Sequence, residues 1–188
     1  MGRAFVPIDR RVALLRGINV GTAKRIAMAD LRQLVERLGY QEVRTLLNSG
    51  NVVFTGSTAP PSRIAGTIEA ALISRLGVAA KVFVLTASEL AAAAAANPLL
   101  DAATNPSRLV LAVPSSPKDM VRMRPLLEKD WTPEALAAGP RAAYFWCPGG
   151  FIDSPVAEAV RRAFGDSVTM RNWATVGKLL TLSAKTRA

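Results

Sequence analysis

The sequence predicts an α+β protein of two lobes, the first ferredoxin-like (βαββαβ) and the second a degraded ferredoxin-like repeat. Three observations lead there. Short β-favouring runs alternate with apolar residues at helical spacing in the order strand, helix, strand, strand, helix, strand over about residues 11–86. Residues beyond about 109 repeat this style more faintly. The chain of 188 residues is long enough for two packed halves of roughly 90 residues each. The expected domains are 1–96, the ferredoxin-like lobe with a connecting helix, and 97–188, a second α+β lobe with a C-terminal helix.

Val12 to Leu15 is a short apolar run between charged residues, which reads as a buried strand. Met28, Leu31, Leu34, Val35 and Leu38 recur at helical spacing, and Gly39 stands where a C-terminal cap belongs. Two β-favouring runs, Val43 to Leu47 and Val52 to Thr55, flank the turn-forming tetrad Asn48-Ser49-Gly50-Asn51 and predict a hairpin. Ser62 is the expected N-cap of the next helix, which carries Ile64, Ile68, Leu72 and Leu76 and closes at Gly77. Val82 to Leu85 is the fourth strand. Thr86 and Glu89 have capping-box spacing before an alanine-rich helix that Asn97-Pro98 ends.

In the second half, Leu109 to Val113 reads as a strand. Ser116-Pro117 reads as a cap with a first-turn proline, opening a helix that bends or stops near Pro125. Ala142 to Cys147 is a further strand. Ser154-Pro155 opens a helix that closes at Gly165, and a last helix runs from about Asn172 to Leu182.

Composition narrows the function. Histidine is absent, so a Ser-His-Asp triad and the commonest zinc ligand are excluded. One cysteine and scattered carboxylates give no spacing for a metal site, and we expect neither metal nor cofactor. No apolar run approaches the roughly 20 residues that cross a bilayer, and Met1 to Arg11 show no secretory signal. With Cys147 alone, a cytoplasmic protein without membrane insertion is expected. Net charge is +10. Residues 1–56 hold nine Lys/Arg against four Asp/Glu, residues 57–160 nine of each, and residues 161–188 six against one. Basic ends suit an anionic small molecule or nucleic acid, and equally a solvated basic face. Oligomeric state is not legible.

The sharpest local feature is Leu14 to Thr22, a strand running into a loop bracketed by Gly17 and Gly21 before a helix. Backbone amides of such a loop, a helix N-terminus and the nearby Arg16, Lys24 and Arg25 can hold an anion. The loop is neither a Walker A nor a dinucleotide fingerprint, and the same glycines also permit a plain tight connection with Asn19 turned onto its own backbone. In a split βαβ sheet the third strand lies between the first two, so this loop should face Asn48 to Asn51 on one edge. The expected ligand-binding residues there are Arg16, Gly17, Asn19, Gly21, Asn48, Ser49, Gly50 and Asn51. Near the C-terminus, Arg171, Asn172, Thr175 and Lys178 either face a ligand or belong to a capped helix whose Trp173, Val176 and Leu180 enter the core.

Val12 to Gly21, Met28 with Leu31, Ser49 to Phe54, Asn97-Pro98 and Thr169 to Lys178 together resemble the domain of unknown function (DUF) family 1697. The opening motif and the pattern Arg171, Asn172, Thr175, Leu179 carry the resemblance. It implies a two-lobed α+β fold with ferredoxin-like character and no established activity. Relatives tend to carry a further glycine and a Lys or Asn after the position of Gly21, where this chain has Thr22 and Ala23. They also tend to carry a lysine within the stretch matching Gly150 to Pro155, which here holds none.

Three function classes remain open. The first is a binder of an anionic ligand (nucleotide, phosphometabolite or nucleic acid) at the loop edge. The second is an enzyme using the same rim, and the third an interaction module. Val52-Val53-Phe54-Thr55 lacks the aromatic pattern of sheets that stack RNA bases, which disfavours recognition through the sheet face.

Overall fold

The computed structural model describes residues 10–19 and 25–184. Gly21, one of the expected ligand residues, lies outside them. The chain divides into two units, one of the residues up to Ser88 together with those from Leu182 onward, the other Glu89–Thr181.

The first unit is built on β1 (Arg11–Arg16), α1 (Met28–Arg37), β2 (Gln41–Leu46), β3 (Asn51–Thr55), α2 (Pro61–Leu76) and β4 (Lys81–Thr86). The strands form one sheet in the order β2-β3-β1-β4, with every neighbouring pair antiparallel. Strand β3 therefore lies between β1 and β2, which makes those two parallel. One face of the sheet supplies Ala13, Leu15, Val52, Phe54, Val82 and Val84 to a core shared with Leu31, Leu34, Val35, Ile64, Ile68 and Leu72 of the helices. Period-2 and helical spacing in the sequence thus meet in one apolar layer.

Local boundaries follow residue chemistry. α2 starts at Pro61, with Pro60 as its N-cap, and not at a Ser62 cap as expected. Proline suits the first helical position because its missing N–H would have no partner there. Gly77 closes α2 in the left-handed region, at φ 65°. β2 begins two residues before the expected Val43, through an irregularity between Gln41 and Arg44 where Glu42 has φ 50°. It ends at Leu46 because Leu47, at φ 56°, turns the chain.

The second unit holds α3 (Ala87–Ala95, shared at its start with the first unit), β5 (Leu109–Pro114), α4 (Arg124–Leu127), β6 (Ala135–Ala138), β7 (Ala143–Trp146), α5 (Pro155–Phe164), β8 (Val168–Asn172) and most of α6 (Trp173–Ala184). Its sheet has the order β6-β7-β5-β8, again antiparallel throughout. Each sheet thus has the same strand order. The helix expected after Pro117 is a 3-10 turn to Met123 followed by the four-residue α4. Strands β6 and β8 were not expected: Ala-Leu-Ala-Ala lacks β-branched residues, and Val168–Asn172 reads as a polar approach to a helix. The alanine-rich α3 packs within this unit, where the Tyr144 hydroxyl donates to the Ala93 carbonyl at 2.6 Å. Among the described residues no helix is long and apolar enough to cross a membrane.

Candidate functional site

β1 and β4 run antiparallel, so the end of one meets the start of the other. That register sets Arg16 directly opposite Lys81. The β2–β3 turn lies at the same end of the sheet, because β3 begins opposite Leu14, two residues before Arg16. The topology therefore brings Arg16, Gly17 and Asn19 to one edge with Asn48, Ser49, Gly50 and Asn51.

The two turns are hydrogen-bonded to each other. Leu15 N–H donates to the Gly50 carbonyl at 2.8 Å, and Asn19 Nδ2 donates to the Asn48 carbonyl at 2.7 Å. Asn19 also grips Ile26 from both sides: Nδ2 donates to its carbonyl at 3.0 Å, while Oδ1 accepts from its N–H at 2.8 Å. One carboxamide thus joins the chain before residue 20, the chain after residue 25 and the hairpin. Asn19 has φ 54°, a conformation that asparagine tolerates better than most residues. Asn51 is fully buried, and its Nδ2 donates to the Leu46 carbonyl and to Ser49 Oγ, both at 2.9 Å. Two of the carboxamides anticipated as ligand groups, Asn19 and Asn51, therefore hold the turns in shape. Gly50, at φ 75°, lies beneath Ile18 and Leu15.

The groups that face outward on this edge are different. Gly17, Asn48 and Ser49 are exposed, Arg16 is half-buried, and Lys81 is exposed with its ammonium 3.6 Å from Glu69 Oε2. Glu69 is fixed in turn, since its Oε1 accepts the Val82 N–H at 2.9 Å. Two like charges opposite each other on adjacent strands repel, and Glu69 beside Lys81 offsets part of this. Sequence reading missed Lys81 and Glu69. The available signal was the strand order, which in a βαββαβ sheet sets the start of the fourth strand against the end of the first.

The C-terminal group has another character. Asn172 Oδ1 accepts the Thr175 N–H at 2.9 Å and so caps α6, and Thr175 is itself buried. Arg171 Nη1 donates to Thr169 Oγ1 at 3.0 Å and to the Met170 carbonyl at 2.8 Å. Burial removes water from this guanidinium and pushes its pKa down to about 10. Lys178 is exposed on α6. Arg171, Asn172 and Thr175 together shape the junction of β8 and α6.

A buried polar chain lies at the start of α5. Cys147 Sγ is 3.1 Å from Ser154 Oγ, which donates to Glu134 Oε2 at 2.9 Å and accepts the Ala157 N–H at 3.0 Å. Glu134 Oε2 also accepts the Val156 N–H at 3.0 Å. Ser154 is the helix cap that the sequence predicts, and Glu134 adds a carboxylate where the helix dipole favours one. Burial raises the Cys147 pKa to about 11, so the thiol is no nucleophile at neutral pH. An unfolded thiol ionises near 8.5, so the unfolded chain gains an ionisation that the fold denies it. Stability contributed by the protonated thiol is complete below that value and is lost as pH climbs toward 11. Urea midpoints should therefore fall more steeply between these pH values for the wild type than for Cys147→Ala, and a thiol reagent should label Cys147 only on unfolding.

A family model described as "Protein of unknown function (DUF1697)" matches residues 8–144. The chain belongs to that family. A structure of the conserved bacterial protein SP0830 from Streptococcus pneumoniae is similar to this member of DUF1697 at 22% identity, with a TM-score of 0.76, over 94% of this chain and 99% of that one. The likeness is one of fold. Protein BT0572 from Bacteroides thetaiotaomicron aligns at 10% identity over 91% of this chain and 96% of its own, with a TM-score of 0.22. No curated protein matches the DUF1697 chain.

Proposed function

We propose that this DUF1697 protein binds an anionic ligand, a nucleotide, phosphometabolite or nucleic acid, at the edge formed by the turn after β1 and the β2–β3 hairpin. The observation that carries the reading is the pairing of Arg16 with Lys81 across adjacent strands, beside two turns locked together by Asn19. An anion set between the two cations meets both charges at once, and the exposed Gly17, Asn48 and Ser49 border that position. Asn19 and Asn51 serve the site by fixing its shape. The same strand order in both sheets supports reading each lobe as a ferredoxin-like unit, the second a degraded copy of the first. A lone, buried and protonated thiol suits a cytoplasmic setting.

The test is calorimetric titration with inorganic pyrophosphate at low ionic strength. Wild type should bind, Arg16→Ala and Lys81→Ala should each weaken binding by about tenfold, the scale of one charge-assisted contact, and the double variant should not bind. Arg44→Ala, an exposed position on β2, should change nothing. Equal binding by the wild type and the double variant would overturn the reading, as would no binding at all.

A further inference from the structure

A second basic feature lies on the helices of the same lobe. A groove of about 100 Å³ lies between α1 and α2, lined by Asp30, Gln33, Leu34, Arg37, Arg75 and Leu76. Arg37 and Arg75 come from different helices, and neither guanidinium makes a hydrogen bond or ion pair with any described residue. Arg32 one turn away shows the contrast, since Glu36 holds it at 3.7 Å.

Connectivity fixes where this groove begins. α1 starts after the turn that leaves Arg16, and α2 ends at Leu76, just before the turn that delivers Lys81. The first turn of α1 and the last turn of α2 therefore lie at the same end of the lobe as the Arg16–Lys81 pair. Arg75 stands in that last turn of α2. From Asp30 to Arg37 the helix climbs roughly 10 Å at 1.5 Å per residue, which carries the groove away from the edge. One phosphate cannot touch cations spread over that length. A phosphodiester chain can, because it carries one negative charge per nucleotide along its length.

Resting on the proposed function, we infer that the ligand of this edge is a nucleic acid, held through its phosphodiester backbone along a path from Arg16 and Lys81 past Arg75 to Arg37. Recognition of this kind is electrostatic and indifferent to sequence, which agrees with a sheet that lacks stacking aromatics in β3. Asp30 opposes it from within the groove, as Glu69 does beside Lys81.

The experiment is fluorescence anisotropy of a fluorescein-labelled oligothymidylate of about twelve nucleotides, titrated over roughly 25–150 mM KCl, where each lost cation contact should lower the salt slope by about 0.7 for a single strand. Arg37→Ala and Arg75→Ala should each lower the slope by that amount and weaken binding several-fold, while leaving pyrophosphate binding unchanged. Asp30→Asn should tighten the oligonucleotide. All three side chains are exposed, so urea midpoints should move little and serve as the folding control. If the two arginine variants keep wild-type slope and affinity, the path through the groove is wrong and the edge reading stands. If pyrophosphate binds and the oligonucleotide does not, the ligand is a small anion and this inference falls alone. If neither probe binds, both fall.

Discussion

Gly50→Ala is expected to lower the stability of the first lobe by about 3 kcal/mol, the sum of a left-handed penalty of about 1–2 and an overpacking cost of about 1–3. An added Cβ would stand 2.7 Å from Ile18 Cδ1 and 2.8 Å from Leu15 Cβ, at a residue with φ 75°. The isoleucine tip has little room to yield because Ile18 is 3% exposed, and Leu15 Cβ is fixed to the backbone of β1. Relief therefore means moving the hairpin away from β1, which stretches the bond between Leu15 N–H and the Gly50 carbonyl. Gly17 supplies the control: its φ is 70°, but nothing lies within 4 Å of the position of its Cβ. Gly17→Ala should cost only the backbone term, about 1–2 kcal/mol. Urea unfolding of both variants separates strain from packing, and equal losses would show that the turn is not packed against β1.

Asn19→Ala should cost about 2–3 kcal/mol, from three hydrogen bonds at a net 0.5–1.5 each, one partner being near solvent. The Ile26 N–H and carbonyl and the Asn48 carbonyl lose their partner at once. Asn19→Gly keeps the left-handed conformation and removes the same bonds, so it should lose less than alanine by about 1 kcal/mol. Asn19→Asp keeps the acceptor for Ile26 N–H but turns a carboxylate oxygen toward two carbonyl oxygens, and should recover little. Amide exchange at Ile26 reads the clamp directly. Full protection in Asn19→Ala would mean that the carboxamide is incidental.

The edge was legible in the sequence because the element order matches a split βαβ sheet. Once β1, α1 and the β2–β3 hairpin are recognised from Val12 to Leu15, Met28 to Leu38 and Asn48 to Asn51, the third strand must lie between the first two, and their turns must meet. What the carboxamides do was not legible, because Asn19 bonds to a backbone carbonyl of the other turn and Asn51 to the Leu46 carbonyl of its own hairpin, and such acceptors carry no sequence signature. Lys81 escaped because its partner lies across the sheet, 65 positions away in the register with Arg16. Strand β6 escaped for a compositional reason: alanine favours helices, and only pairing with Ala143–Trp146 of β7 makes Ala135–Ala138 extended. At the β8–α6 junction the reading that Asn172 caps a helix holds, and the strand before it was hidden by Thr169 and Arg171, polar residues on a two-sided edge.

If the turn after β1, the β2–β3 hairpin and the start of β4 form one anion-binding edge, an amide-resolved NMR titration with inorganic pyrophosphate should move the amides of Gly17, Asn48, Ser49 and Lys81 together along a single binding curve, with those of the β8–α6 junction unmoved. Shifts confined to residues 171–178, or scattered over exposed lysines and arginines without a common curve, would contradict it.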